Sequence, residues 1–212
     1  MIMLNQIKNN HKTNIKESYR HLFVIIESIN NNIVPASLEM LGEARRLMDH
    51  FNLTYDSNEK VIAVLLGDGI KDLSQELIFY GADAVIYADD PNLKYSINKT
   101  YTKIISQIVS DSNSIKEISP DYVSEFKKPR YMFFLADNIG RHLSATVLAE
   151  LDSGLASDIN KLVISDLDIK HQHKTNGKTI SYKKILEMYR PDFSGFLWTT
   201  ILCLDNKNPE IE

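Results

Sequence analysis

The stretch YMFFLADNIGRHLSATVLAELDSG, residues 131–154, passes from a strand through a turn into a helix. Tyr131 to Ala136 is a continuous apolar run, which is typical of a strand buried on both faces. Asp137-Asn138 can cap a helix N-terminus, and apolar residues from Leu143 to Leu151 then recur at helical spacing. Repeated strand-turn-helix units of this kind build parallel α/β sheets.

Other parts of the chain repeat this unit. Three further apolar runs are predicted as buried strands: Leu22 to Ile26, Val61 to Gly67 and Ala84 to Ala88. Helical patterns follow Pro35 and run from Leu73 to Tyr80 and from Ile97 to Ile108. The alternation predicts right-handed crossovers, and therefore a mainly parallel, Rossmann-like α/β sheet flanked by helices.

The pattern changes near the C-terminus. Gly81 and Gly154 are predicted to end helices, and from Lys161 onward the apolar segments shorten. They pair around Asn176-Gly177, a dipeptide that favours tight hairpin turns. We therefore expect a small antiparallel flank beside the parallel sheet.

Composition excludes several classes of protein. The single cysteine, Cys203, rules out a disulfide framework and a cysteine-based metal site, and it fits a reducing, cytoplasmic compartment. The formal net charge of −4 provides no broad attraction to nucleic acid. No segment has the roughly 18 apolar residues of a membrane span. We expect residues 1–20 to form a basic N-terminal extension and residues 21–212 to form one domain.

The start of the helix after Asp137 is a candidate phosphate site, because free N–H groups at a helix N-terminus attract anions. A dinucleotide fingerprint needs G-x-G-x-x-G, whereas Gly140 is followed by Arg-His-Leu. The second glycine is missing. We therefore expect Asp137-Asn138 to act as a cap, with no nucleotide bound.

Three further groups resemble sites but have simpler explanations. The segment GDGI, residues 67–70, is predicted to be a strand-to-helix turn. Asp89-Asp90 before Pro91 offers carboxylates to a metal but is typical of capping. His171 and His173 have the spacing of zinc or copper ligands, yet they flank a polar hairpin tip. No G-x-S-x-G elbow is present, so we predict no catalytic, metal-binding or cofactor-binding residue.

Four segments together resemble the amino-terminal domain of the electron-transfer flavoprotein alpha subunit. They match, in order, the family's proline-led P-x-S-L-E-x-L helix, its G-A-D-x-V strand followed by D-D, its I-G-R-D-L helix and its R-P-x-F-G-G loop. In this chain they read VIIESINNNIVPASLEMLGEARRL, GADAVIYADDPNLKYSINKTYTKII, IGRHLSATVLAELDSGLASDI and RPDFSGFLWTTILC.

The resemblance implies an adenine-nucleotide-hydrolase-like fold and a scaffold that pairs with a beta subunit in FAD-dependent electron transfer. Dehydrogenases or ferredoxin-type donors would exchange the electrons. FAD is implied for the full assembly, but the resemblance places it mainly in a carboxy-terminal domain absent from this sequence. The motif and interface candidates are Gly140, Arg141, Arg190, Pro191 and Gly195.

This chain departs from the family pattern in places. Asp137-Asn138 replaces hydroxyl residues before I-G-R, and His142 replaces an aspartate. Ser194 and Phe196 replace a glycine and the asparagine of F-G-G-N. Two alternatives stay open: a stand-alone adenine-nucleotide-binding module of universal-stress type, and a small hydrolase.

Overall fold

The computed structural model describes residues 19–110 and 128–204 and a short strand at 210–211. Most of the predicted N-terminal extension, residues 1–20, lies outside these ranges, as do residues 111–127. The helices are α1 (Pro35–Tyr55), α2 (Leu73–Phe79), α3 (Asn98–Ser110) and α4 (Asn138–Leu151). The strands are β1 (Arg20–Ile26), β2 (Ser28–Ile29), β3 (Asn32–Ile33), β4 (Val61–Gly67), β5 (Ala84–Asp89), β6 (Pro129–Phe133), β7 (Gly154–Leu155), β8 (Lys161–Lys170), β9 (Thr179–Asp192), β10 (Leu197–Ile201) and β11 (Glu210–Ile211).

The main sheet has six strands in the order β5-β4-β1-β6-β11-β7, and every pairing in it is parallel. Its central strands are covered on both faces, since all residues of β4 and all but the first of β1 are buried. This confirms the predicted α/β class and explains the continuous apolar runs, because each strand residue faces one of two cores.

Side chains of β1 alternate between these two cores. Leu22 and Val24 pack with α1 and α2 on one face, whereas Phe23 and Ile25 pack with α3 and α4 on the other. Helix α1 begins at Pro35, where a missing N–H costs nothing, as predicted. The crossovers therefore place two helices on each side of the sheet.

A second, antiparallel sheet of order β10-β9-β8 forms the predicted flank. Leu162 and Ile164 of β8, with Leu186 and Met188 of β9, pack into the core that contains α1. At the β8–β9 tip, Asn176 and Gly177 both have left-handed φ values, 50° and 69°, as their sequence predicts. The small sheet is therefore attached to the main domain by apolar contacts.

Two predicted element ends were wrong. Strand β6 stops at Phe133 rather than Ala136, because the backbone at Leu135 packs against Gly140 of α4 instead of continuing in the sheet. Helix α4 is closed by Asp152, with a left-handed φ of 51°, and Gly154 instead starts β7. A Cβ at Gly154 would overlap the sulfur of Cys203, so that glycine provides space rather than a cap.

The cap predicted at Gly81 is confirmed by its φ of +111°.

Candidate functional site

The order of strands creates a switch point between β1 and β6. From β1 the chain builds outward through β4 and β5, and it then returns to place β6 on the other side of β1. In open α/β sheets, ligands bind in the crevice that such a reversal leaves at the carboxyl ends of the strands. Here the crevice lies between Glu27, which follows β1, and Asp137, which precedes α4.

Asp137 occupies the position where a phosphate would contact α4. Its backbone is extended, and its carboxylate Oδ1 accepts a hydrogen bond of 2.8 Å from the N–H of Gly140. The N–H of Arg141 donates to the Asp137 carbonyl oxygen at 3.1 Å. The first turn therefore satisfies these donors internally and carries a negative charge, which confirms the predicted cap.

Gly140 lies in the first turn of α4, and close packing rather than a left-handed backbone requires glycine there. Its φ is not left-handed, so no sharp backbone turn demands glycine. Instead, a Cβ there would overlap the carbonyl oxygen of Leu135 and come within 3.0 Å of that residue's nitrogen. Glycine is required because the helix approaches the end of the strand closely, and the sequence motif alone does not reveal this.

Glu27 brings a second carboxyl group to the crevice. Its backbone is fixed, because its N–H donates to the Ser37 hydroxyl at 3.0 Å and its carbonyl accepts the Val34 N–H at 2.9 Å. Burial, followed by the charge and hydrogen bond of Asp137, raises the pKa of Glu27 to about 7. Near neutral pH Glu27 is therefore partly protonated.

The cavity beside these carboxyls is small. It has a volume of about 150 Å³ and is lined by polar and apolar side chains: Ser96, Asn98, Tyr101, Asn138, Ile139, His142 and Leu143. An adjoining space of about 20 Å³ reaches Glu27. Sites for drug-sized ligands measure roughly 300–1,000 Å³. The cavity is smaller than such a site, and Glu27 and Asp137 bring two carboxyl groups to the edge where a dinucleotide-binding fold places its pyrophosphate.

The carboxylates of Asp89 and Asp90 have structural partners. Asp89 accepts hydrogen bonds from the backbone N–H groups of Gly69, Ile70 and Lys71, at 2.6 to 3.0 Å. Asp90 accepts from the N–H of Asn92 at 2.8 Å. The predicted strand-to-helix turn at GDGI and the capping role of the acidic pair are both confirmed.

The histidine pair lies at the β8–β9 tip, as expected, with ring centroids 6.1 Å apart. The Nδ1 atom of His171 accepts from the N–H groups of His173 and Lys174 at 3.3 and 3.2 Å. Within residues 19–110 and 128–204, no group of three or more His, Cys, Asp or Glu side chains has the arrangement of a metal site.

Arg141 anchors the start of α4. Its guanidinium forms an ion pair with Asp158 and donates to the carbonyl oxygen of Ala136 at 3.1 Å. Both contacts are local and exposed, and they connect the helix to the segment after β7. A role for Arg141 in partner binding stays a prediction.

The other three predicted residues meet in the β9–β10 hairpin. Arg190 lies opposite Thr199, and its Nε is 3.8 Å from Oδ1 of Asp192. Pro191 lies beyond the part of β9 that pairs with β8, so its missing N–H breaks no ladder there. Gly195, with φ +87°, closes a turn in which the two preceding residues are also left-handed. The structure thus brings Arg190, Pro191 and Gly195 together, and Gly140 and Arg141 are in another region.

Sequence reasoning missed the surface of that hairpin. Four large apolar side chains at the tip are exposed by more than half: Phe193 (77%), Phe196 (88%), Leu197 (56%) and Trp198 (61%). We call these four residues the apolar tip. The signal was present, because aromatic residues rarely occupy a turn that polar residues fill more cheaply. Exposed apolar patches mark sites of interaction.

No helix among the described residues combines the length and apolar character that crossing a bilayer requires.

Residues 22–187 match the family described as "Electron transfer flavoprotein domain". The electron transfer flavoprotein subunit alpha of Megasphaera elsdenii is 31% identical over 89% of this chain and 45% of its own length. The alpha subunit of Thermoanaerobacterium thermosaccharolyticum is 31% identical over 91% and 47%. The "Acryloyl-CoA reductase electron transfer subunit beta" of Anaerotignum propionicum is 28% identical over 88% and 47%.

The chain spans about half the length of the curated relatives that it matches. The family match covers most of the main sheet and its helices, and the same fold was predicted from the motifs. The chain therefore belongs to the electron transfer flavoprotein family, as an amino-terminal domain of the alpha-subunit type.

Proposed function

We propose that this chain is a scaffold that binds an electron transfer flavoprotein beta subunit and holds no redox cofactor of its own. FAD is carried elsewhere in the assembly, which exchanges electrons with dehydrogenases or ferredoxin-type donors in the cytoplasm. The chain contributes binding and orientation rather than a catalytic group.

The apolar tip is the observation that carries this proposal. Its residues belong to the same hairpin as Arg190, with Trp198 opposite Pro191 and Leu197 opposite Asp192, and the side chain of Arg190 is 36% exposed. Trp and Arg are enriched among the residues that dominate binding energy, and four large apolar groups supply the apolar centre of such a surface. The tip occupies the position of the family's R-P-x-F-G-G motif, and Phe196 replaces an asparagine there. A partner with an apolar groove fits this surface.

The crevice supports the second half of the proposal. Asp137 already satisfies the Gly140 N–H, and Glu27 adds a second acid, so the site repels phosphate. We expect the purified chain to be colourless. Flavin absorbance copurifying at one equivalent per chain would contradict this.

Binding of the beta-type subunit from the same organism tests the proposal. Phe196→Ala with Trp198→Ala removes the most exposed side chain of the tip and its single indole. We expect the dissociation constant, measured by calorimetry, to rise at least tenfold, while the melting temperature stays within about 2 °C, because exposed side chains contribute little to stability. Leu53→Ala is the matched control, since Leu53 is 85% exposed and belongs to α1 rather than to the hairpin. Unchanged affinity of the double variant would overturn the assignment of the tip.

A nucleotide-binding module of universal-stress type is the second candidate. We expect AMP and ATP to bind no tighter than millimolar, about −4 kcal/mol, because the crevice presents carboxylates where a phosphate would lie. Calorimetry that gives micromolar affinity would favour this candidate over the scaffold.

A further inference from the structure

The two edges of the main sheet differ in how they are protected. The edge strand β7 has only two residues, which limits pairing with another chain. The opposite edge strand, β5, has six residues, AVIYAD, and no described strand pairs with its outer side. Natural edges are usually guarded by Lys, Pro or a bulge, and the apolar run of β5 has none of these.

The backbone groups of β5 alternate between its neighbour and the outside. The N–H of Asp83 bonds to the carbonyl oxygen of Val61 on the β4 side. Alternation from there leaves the N–H and C=O groups of Ala84, Ile86 and Ala88 facing outward. These groups form a template for one more strand.

Exposed apolar residues continue this edge. Helix α2 ends at Phe79, which is 86% exposed and forms an edge-to-face contact with Tyr80 at 5.8 Å between ring centroids. Tyr87, which is 41% exposed, lies on the same face of the sheet as Val85, and Val85 packs in the core with α2. The aromatic groups thus extend along one face of β5, from its amino end toward its carboxyl end.

The acidic residues at the two ends of β5 have polar partners within the chain. Asp83 forms a 2.7 Å ion pair with Arg45. Asp89 accepts three backbone N–H groups. A strand that placed Asp83 opposite Asp89 would therefore meet two carboxylates that already have partners, which reduces their repulsion.

We propose that β5 is a dimer interface, on which a second copy of this chain adds its own β5 in antiparallel register. A two-fold axis at Ile86 pairs that residue with itself and Ala84 with Ala88 of the other copy. Tyr87 then lies opposite Val85 of the other copy, toward that copy's Phe79 and Tyr80. The same residues therefore complement each other in both directions, as an isologous contact requires.

This interface is separate from the apolar tip. The small sheet attaches beside β6, where the Tyr131 hydroxyl donates to the Lys184 carbonyl oxygen at 2.7 Å. Strand β5 lies on the far side of β1 and β4 from that contact. Dimerisation of this chain and binding of a beta-type subunit are therefore independently testable.

Sedimentation velocity of the 212-residue chain alone, from about 1 to 100 μM, tests the dimer. We expect reversible dimers with a dissociation constant of about 1–50 μM, since a six-residue edge with a few aromatics provides less than the ~800 Å² per partner of a standard interface. Phe79→Lys and Tyr87→Lys should each raise that constant at least tenfold. Leu53→Lys is the control, because Leu53 is as exposed as Phe79, 85% against 86%.

A cysteine cross-link tests the register. In a Cys203→Ser background, Ile86→Cys should form a disulfide-linked dimer under mild oxidation, whereas Leu53→Cys should not. Circular dichroism melts confirm that each variant is folded. A chain that stays monomeric at 100 μM overturns the proposal. A dimer whose dissociation constant is unchanged by both lysine substitutions also overturns it. The same holds if the folded Ile86→Cys variant forms no cross-link.

Discussion

Two glutamates lie beside the two ends of β1, and their surroundings shift the pKa in opposite directions. Burial alone would raise the pKa of Glu59 at the amino end, but hydrogen bonds from His21 and the charge of Arg20 lower it to about 2. The His21 N–H donates to Glu59 Oε2 at 2.6 Å, and Arg20 Nε donates to Oε1 at 3.2 Å. At the carboxyl end, burial and the neighbouring Asp137 raise the pKa of Glu27 to about 7.

At one end of β1 an ionised glutamate stabilises the fold, and at the other end it destabilises the fold. At the amino end a buried carboxylate has donors and a cation, so its ionisation stabilises the fold. At the carboxyl end two acids meet without a described cation in an ion pair with either. Sequences tend to break local rules at functional positions, and this end is where α/β sheets place their ligands. The crevice therefore lies where an α/β fold binds its ligand, but its two acids disfavour phosphate.

Close packing at the carboxyl end gives the largest expected effect. Gly140→Ala should lower the free energy of unfolding by about 3 kcal/mol or more, because the new methyl group overlaps the Leu135 carbonyl and α4 must shift. Urea denaturation followed by circular dichroism measures this. Gly42→Ala in α1 is the control, since a Cβ there meets nothing within 4 Å. That variant should gain about 0.5–1 kcal/mol from helix propensity. Equal effects would mean that the approach of α4 to Leu135 is not tight.

Glu59→Gln tests the stabilising end. At pH 7 we expect a loss of about 2–3 kcal/mol, because a buried carboxylate with a lowered pKa is replaced by a neutral amide. The wild-type advantage is complete above the ordinary pKa of 4.5, and it decreases as the pH falls toward about 2. Urea midpoints from pH 7 to pH 3 measure this. Glu39→Gln, at an exposed position, should change stability by less than about 0.5 kcal/mol. A pH-independent loss in Glu59→Gln would assign the effect to packing.

Glu27→Gln should raise the free energy of unfolding at high pH, whereas Glu59→Gln lowers it. Between pH 4.5 and about 7 the folded chain holds a proton on Glu27 that the unfolded chain has released, so wild-type stability declines as the pH rises. The amide avoids this cost. We expect the variant to be more stable than wild type by about 1–2 kcal/mol at pH 8, a value reduced because Glu27 is half-buried. The difference should vanish at pH 4. A gain of equal size at both pH values would show that the ionisation of Glu27 does not cause it.

The central strands and the helices were predictable because their signals are local. Burial on both faces makes β4 apolar throughout. The cap of α4 was predictable because aspartate is a preferred residue at a helix N-terminus. The β8–β9 turn follows from the left-handed preference of Asn176-Gly177.

The features that distinguish the two ends of β1 could not be predicted, because they join residues far apart in the chain. Glu27 meets Asp137 only once β6 has been placed beside β1. Strands β7 and β11 have two residues each and carry no periodicity of their own. Gly140 matched a motif, but the overlap with Leu135 depends on how closely α4 approaches the end of β6.

The β9–β10 hairpin is a third region, where we expect binding to change and stability to stay nearly constant. Arg190 has one described acidic neighbour, Asp192, at 3.8 Å, a distance too long for a hydrogen bond. A partly exposed pair at this distance contributes ~0–1 kcal/mol, whereas a guanidinium can hold a partner's carboxylate or carbonyl groups in a fixed geometry.

Arg190→Ala should therefore shift the melting temperature by no more than about 2 °C, while it weakens binding of a beta-type subunit about three- to tenfold. Calorimetric titration and a thermal melt of the same sample measure both quantities. Arg46→Ala is the control, because it removes the same charge from α1, where Arg46 pairs with Glu43 and donates to the Leu162 carbonyl oxygen of β8 at 3.4 Å, and it changes no residue of the hairpin. If Arg46→Ala weakens binding equally, net charge rather than the hairpin governs association. If Arg190→Ala instead unfolds at a markedly lower temperature, or binds the subunit with unaltered affinity, Arg190 is a structural residue like Glu59.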